Sequence, residues 1–282
     1  MKTPPSAPSG GARRPTLAVR QITVGQPLQW LVAGWRDMWR SGWLSLSHGA
    51  ALALFGLVLF ALSRQQFWLL AGAFSGFLVV APVLATGLYA MSRALERQQR
   101  VRWRLLYDTW MGWQQSRFVD RSGYWCLVRF GILLAVAGTG WVLTSAALIT
   151  LLAPVPIQTP LDFLRHVVLG RNHFLFEAWL ALGGILAAPI FASSVVSMPL
   201  MLDRRITLMD AVLTSWRVVL ANPVPMAVWS GLIMLLVLLG FASLLVGLLI
   251  VVPVLGHASW HAYRDLVDAS TLPERAMPGL TG

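Results

Sequence analysis

Charge is scarce in this chain. Of its 282 residues only 12% are Asp, Glu, Lys or Arg, about half the roughly 25% of a soluble domain. That excludes an ordinary soluble globular protein, a disordered chain and a coiled coil. Acids are the scarcer sign: 11 Asp and Glu stand against 22 Lys and Arg, a net charge of +11, and Lys2 is the single lysine. One cysteine, Cys126, excludes an internal disulfide. No Asp, Glu, Lys or Arg falls near the middle of a long apolar run, which argues against an ion-coupled pump. There is no H-E-x-x-H, no phosphate-binding glycine loop and no Ser-His-Asp set in a supporting context. The sequence therefore points to no catalytic and no cofactor-binding residue.

What the chain has is apolar length. Its residues are 57% hydrophobic, with 14 Trp and a mean hydropathy of +0.67. About 20 apolar residues carry a helix across a ~30 Å hydrocarbon layer, and a helix satisfies its own backbone there. Residues 42–62, 67–91, 130–152 and 176–202 meet that length. Residues Met226–Tyr263 run for 38 positions without Asp, Glu, Lys or Arg, nearly two crossings. They read as a hairpin turning near Gly240–Ser243, with spans at 222–241 and 244–263. The expectation is an all-α, polytopic membrane helix bundle with six transmembrane helices arranged as three hairpins.

Loop charge orients it. Short loops rich in Lys and Arg stay in the cytoplasm. Eighteen cations fall on one side of the six-span layout; Arg64, Arg165 and Arg171 fall on the other, and Arg129 is within snorkelling reach of the first. Both termini are thus expected inside. A five-span layout would export the tail, and charge opposes it only weakly. Residues 1–26, rich in Pro, Gly, Ser and Ala without an apolar core, read as a disordered cytoplasmic tail rather than a cleaved signal. The membrane domain covers 27–268, and 269–282 form a second cytoplasmic tail. In the outer loop 153–175, Thr159-Pro160-Leu161-Asp162 predicts a helix start with Thr at the N-cap and Pro at N1. Gly170 would end that helix, and Leu161, Leu164 and Val168 would form its apolar face.

An internal repeat accompanies the spans. Leu28, Leu31, Trp35 and Met38 form one i, i+3, i+7, i+10 set; Trp103, Leu106, Trp110 and Trp113 a second; Met209, Val212, Trp216 and Val219 a third. Each predicts an amphipathic helix with Arg around it, suited to the membrane surface, ahead of each hairpin. Gly76–Leu84 around Pro82 is matched by Gly247–Leu255 around Pro253, and more loosely by the segment around Pro189. Arg93 and Arg264 both lie eleven residues after their proline; Glu96-Arg97 and Asp203-Arg204 lie fourteen and fifteen after theirs. The unit is surface helix, span, proline-containing span, three times over.

Candidate functional residues are few. His257 and His261, four apart, share a helix face near the inner end of the sixth span, and His48 sits toward the inner side of the first. They read as part of a polar-aromatic belt with Trp260 and Tyr263, the alternative being a metal or haem site. Glu177 and Arg129 read as interface anchors. Gly72/Gly76, Gly183/Ala187, Gly184/Ala188 and the serines 193, 194 and 197 suit close helix packing with hydroxyls bonding across the gap. The functional alternative is a solute path lined by Thr86, Ser193 and Ser197 beside the Pro189 and Pro199 breaks. The arginines suit anionic lipid headgroups of the bilayer rather than nucleic acid.

The runs Pro27–Asp37, Gly76–Arg93, Phe191–Pro199 with Asp203-Arg204, Thr214–Arg217 and Asn222–Met226 together resemble an uncharacterised bacterial integral-membrane family, number 2189 among the domains of unknown function. The resemblance implies a multi-span protein of the bacterial inner membrane without established activity or catalytic residues. Members sometimes carry the label of cytochrome c oxidase subunit, which this chain, with few intramembrane histidines, does not support for the catalytic subunit. Three functions follow in order: a non-catalytic scaffold or assembly protein, a permease or exporter for a neutral or amphiphilic solute, and a haem or metal redox protein. The topology has a direct check. Reporter fusions at the Arg100 connector and at the C-terminus should report the same compartment; opposite compartments would overturn the layout.

Overall fold

The computed structural model describes residues 17–62, 85–109, 111, 125–170 and 174–275. They form helices α1 (Gln26–Ser41), α2 (Trp43–Leu62), α3 (residues 85–96), α4 (residues 103–109), α5 (Trp125–Leu152) and α6 (Pro160–Phe163). After these come α7 (Phe174–Ser194), α8 (Ser197–Asp203), α9 (Leu208–Ala221), α10 (Pro223–Ala242) and α11 (Leu248–Leu266). The described chain is all-α apart from a two-residue antiparallel pair, β1 (Ala18–Val19) on β2 (Val267–Asp268). Four stretches are long and apolar enough to cross a membrane: Trp43–Ala61, Cys126–Leu152, Phe174–Asp203 and Pro223–Ala242. Only 11% of the Cys126–Leu152 window is buried within the protein. An apolar helix with so little protein cover needs lipid around it. The second expected span, 67–91, falls largely outside the described residues, of which 85–91 are helical.

Local chemistry explains where these helices break. The expected single span 176–202 parts at Val195-Val196 into α7 and α8. Pro199 is the cause: its ring displaces the carbonyl four residues back, that of Val195. Pro189 and Pro253 stay inside α7 and α11. The turn expected near Gly240–Ser243 comes later, at 243–247, because Leu244 and Leu245 take positive φ (55° and 70°) while Ser243 Oγ accepts the Gly247 N–H at 2.7 Å. In the loop 153–175 Thr159 Oγ1 accepts from the Asp162 N–H (3.1 Å) and Asp162 Oδ2 accepts from the Thr159 N–H (2.9 Å), a reciprocal cap. That loop helix continues as a π-turn, Leu164–Val168. The wider turn moves the inward position from the expected Val168 to Val167, which is fully buried, and leaves Leu161 and Leu164 exposed.

The surface helices show why the three sets recur. In α1 the exposed apolar residues are Leu28, Val32, Trp35 and Trp39; in α9 they are Met209, Leu213, Trp216 and Leu220. Counted from the Trp of each set, both series fall at −7, −3, 0 and +4. Trp103 and Tyr107 repeat the first two positions in α4; Trp110 and Trp113 lie outside the described side chains. The expected stripe is therefore rotated, with Met38 buried and its place outside taken by Trp39. The opposite faces, Trp30-Gly34-Asp37 and Ala211-Ser215-Val218, pack inward.

Each surface helix packs on a helix of the repeat before it in the expected order. Helix α9 lies on α7 and α8, and α4 meets α3 where Leu106 touches the site of Gly87. Helix α1, having no predecessor, lies along α11 at the other end of the chain. Three repeats thus close into a ring. Residues 17–25, expected within the tail, are held at this closure: Arg20 N–H bonds Leu266 O (2.9 Å), and Asn222 accepts from Ile22 N–H (2.9 Å) and donates to Arg20 O (3.0 Å). The core combines Trp30, Leu88, Met91, Leu200, Met201, Trp229, Trp260 and Tyr263, with Trp30 edge-on to Trp229.

Glycines set the closest approaches. A Cβ at Gly34 would stand 2.5 Å from Val254 O, and one at Gly49 would stand 2.5 Å from Leu249 O, both on α11. Gly183 sits under Trp141, whereas Gly184 has open space. Gly34→Leu and Gly49→Leu should each destabilise by about 1–3 kcal/mol, read as a lower melting temperature in detergent. Gly184→Leu should leave it unchanged.

Candidate functional site

Two buried polar clusters lie where the helices converge. The first joins four helices. Asp37 on α1 is buried, and its Oδ2 accepts from Ser92 Oγ on α3 (2.7 Å) and from His261 Nε2 on α11 (2.8 Å). Ser92 Oγ is also 2.7 Å from His257 Nδ1, and His257 Nε2 is 2.8 Å from Ser45 Oγ on α2. A hydroxyl has one proton. Since Ser92 gives its proton to Asp37, His257 donates from Nδ1 and accepts from Ser45 at Nε2. The chain Ser45–His257–Ser92–Asp37 thus runs in one direction, with each bridging group used twice. Burial raises the Asp37 carboxyl, but the bonds from His261 and Ser92 outweigh it and hold the group below its ordinary value of 3.8.

The second cluster surrounds Asp203, at the end of α8. Its Oδ1 is 2.8 Å from Arg93 Nε, and its Oδ2 accepts from Tyr263 Oη (2.8 Å) and Arg204 Nε (2.9 Å). Arg93 and Asp203 have side chains only 1% and 2% exposed. The C-terminal segment closes over them: Arg93 donates to Arg275 O (2.8 Å), and Arg275 donates from its backbone to Asp203 O (2.8 Å) and from Nε to Met201 O (2.9 Å). Beside this, Glu96 accepts from Trp260 Nε1 (3.0 Å) and pairs with Arg264 (2.8 Å). Asp265 accepts from Gln26 Nε2 and Trp30 Nε1, each at 2.7 Å. Burial works against the Arg264 and Arg204 charges, but Glu96 and Asp203 more than offset it and raise both guanidinium pKa values.

These pairs follow the repeat. The arginine eleven residues after Pro82 meets the acid fourteen after Pro189; the arginine eleven after Pro253 meets the acid fourteen after Pro82. Spacing-matched residues thus pair between repeats rather than within one.

The three histidines are placed differently from one another. His261 bonds Asp37 directly and His257 reaches it through Ser92, whereas His48 directs Nδ1 at Leu44 O (2.8 Å) and sits against Gly87. Among the described residues no three His, Cys, Asp or Glu side chains are grouped to hold a metal. Of the solute-path candidates, Thr86 and Ser197 are buried. Ser193 Oγ accepts from Trp216 Nε1 (2.9 Å), Ser197 gives its proton to Ser193 O (2.6 Å), and Pro189 lies five residues before the end of α7. Of the serine hydroxyls, Ser193 bonds across a helix gap, whereas Ser194 and Ser197 bond back to their own chain. Glu177 and Arg129 are exposed, in the first turns of α7 and α5. Sequence reading missed Asp37, Ser45 and Ser92. The available signal was the lone acid of α1, two residues past the Trp of its repeat, where α9 has Val218.

The two kinds of ion pair should separate in stability. Removing one partner of the buried pair, as in Arg93→Met, should cost about 3–5 kcal/mol. Breaking the exposed Arg97–Glu274 pair with Glu274→Gln should cost under about 1 kcal/mol. Asp37, with its folded pKa below 3.8, contributes stability above that value and loses it as pH falls through the folded one. Asp37→Asn should therefore flatten the acid limb of a melting-temperature profile.

The model of the family described as "Predicted integral membrane protein (DUF2189)" matches residues 69–203. No curated protein and no solved structure matches the chain. The matched segment runs from the first hairpin expected from sequence to the Asp203 cluster, and so includes α3, α5, α7 and α8. With its apolar helices and this match, the protein is an integral membrane protein, similar over residues 69–203 to that family of unknown function.

Proposed function

We propose that the protein is a non-catalytic structural component of the bacterial inner membrane, a scaffold or assembly factor. In this reading six helices cross as three hairpins, and both termini and the arginine-rich connectors lie in the cytoplasm. The observation that carries it is the use made of the inner polar side chains. Ser45, Ser92, Asp37 and His257 satisfy one another between helices, as do Arg93, Asp203 and Tyr263. Polar groups spent in this way fix helix positions. Ala90 and Met91 on α3, and Val196, Leu200 and Met201 at the α7–α8 break and on α8, are wholly buried apolar side chains. Apolar filling of this kind among the described residues suits a fixed frame better than a solute path.

The second reading is a permease for a neutral or amphiphilic solute. The break between α7 and α8 favours it, because the Val196 N–H is held by a side chain, Ser215 Oγ (3.3 Å), rather than by its own helix. Purified protein in vesicles loaded with a panel of neutral and amphiphilic solutes decides between the two. The scaffold reading expects efflux equal to that of protein-free vesicles, and loss of a discrete envelope complex on native gels of a deletion strain. Protein-dependent efflux slowed by Ser215→Ala would overturn it.

A further inference from the structure

The outward faces of the three surface helices are built to one plan. In α1 and α9 the exposed positions at −7, −3, 0 and +4 from the Trp are Leu, Val, Trp, Trp and Met, Leu, Trp, Leu; α4 exposes Trp103 and Tyr107 at the first two. These are large apolar side chains facing away from the protein on helices whose other faces are packed. Exposed arginine lies beside each stripe: Arg36 and Arg40 on α1, Arg102 and Arg104 at α4, Arg217 on α9. Arg104 reaches Asp108 only at 3.8 Å with 77% of its side chain exposed, and Arg217 gives one N–H to Leu17 O (3.1 Å). No exposed acid flanks the stripe of α1, whose one acid, Asp37, is turned inward.

We propose that these stripes form a threefold-repeated docking surface for the headgroup region of the bilayer, with anionic phospholipid as the bound class. The Trp and aliphatic side chains enter the boundary between headgroups and acyl chains, where an aromatic ring with one polar edge is best solvated. The guanidinium groups alongside bind phosphate oxygens, for which their fork of donors is matched. Two features select lipid over a protein partner. The stripe of α1 leads in sequence into the apolar α2, whose first residue, Trp43, is itself exposed. The same exposure register recurs on α1 and α9, and at its first two positions on α4, as a surrounding medium requires and a single partner does not. The inference needs only membrane embedding, and stands whether the bundle is scaffold or permease.

The test uses the full chain in nanodiscs of phosphatidylcholine, with or without phosphatidylglycerol, brominated either near the headgroup or at the chain end. Quenching that disappears in the Trp35→Phe/Trp39→Phe/Trp43→Phe variant reports the stripe. It should be strongest with the shallow bromines. Native mass spectrometry of the wild type should show phosphatidylglycerol retained over phosphatidylcholine. That preference should fall about fivefold for each guanidinium removed in Arg36→Gln/Arg40→Gln/Arg102→Gln/Arg104→Gln. Stripe quenching that is absent, as under a protein partner, or deepest at the chain end would overturn the proposal. So would equal retention of the two lipids by the wild type, which requires no variant to fold.

Discussion

A carboxylate that leaves water must find its counter-charges inside the protein. Asp203 meets that constraint with three donors from three parts of the chain: Arg93 on α3, Arg204 beside it and Tyr263 on α11. Any one of them missing leaves a buried group short of a partner, at a cost comparable to a large fraction of a domain's stability. The pair adds little net stability over an apolar replacement. What it supplies is position, since only one arrangement of α3, α8 and α11 brings all the donors to one acid. The C-terminal segment adds Arg275 through backbone carbonyls and seals the cluster.

The ring follows from the same economy of partners. Two of the surface helices have one face too polar and too small for lipid: Gly34 and Asp37 on α1, Thr214 and Ser215 on α9. Each lays that face on a proline-containing helix, where Gly34 permits contact with the backbone of α11 and Ser215 accepts the N–H freed at the α7–α8 break. The apolar face is left outside. In water this would be inside-out; in lipid it is the arrangement in which both faces find a matching medium.

Much of this is legible in the sequence. Run length and composition mark α2 and α10 nearly to the residue and α5 at its C-terminal end, though α5 begins five residues before the expected 130, and the Thr159–Asp162 cap is readable from four letters. Spacing from proline singles out Arg93, Glu96, Asp203 and Arg264 without showing any pairing among them. The direction of the surface helices is less legible. A period of 3.6 identifies a stripe, but adjacent sets such as Leu28/Leu31/Trp35/Met38 and Leu28/Val32/Trp35/Trp39 fit it about equally. Asp37 looks like the solvated side of an amphipathic helix, because nothing near it in sequence names His261 or Ser92.

The amino-acid order by itself determined the solvent and the long apolar helices, since hydropathy and proline geometry act over a few neighbouring residues. Tertiary structure alone decided which side of each surface helix faces protein, that α1 closes the ring on α11, and that Arg93 meets Asp203 while Arg264 meets Glu96. Those outcomes depend on hydrogen bonds and charges brought together from residues 100 or more apart, and a group's partner at that range is set by the packing of whole helices rather than by its neighbours along the chain.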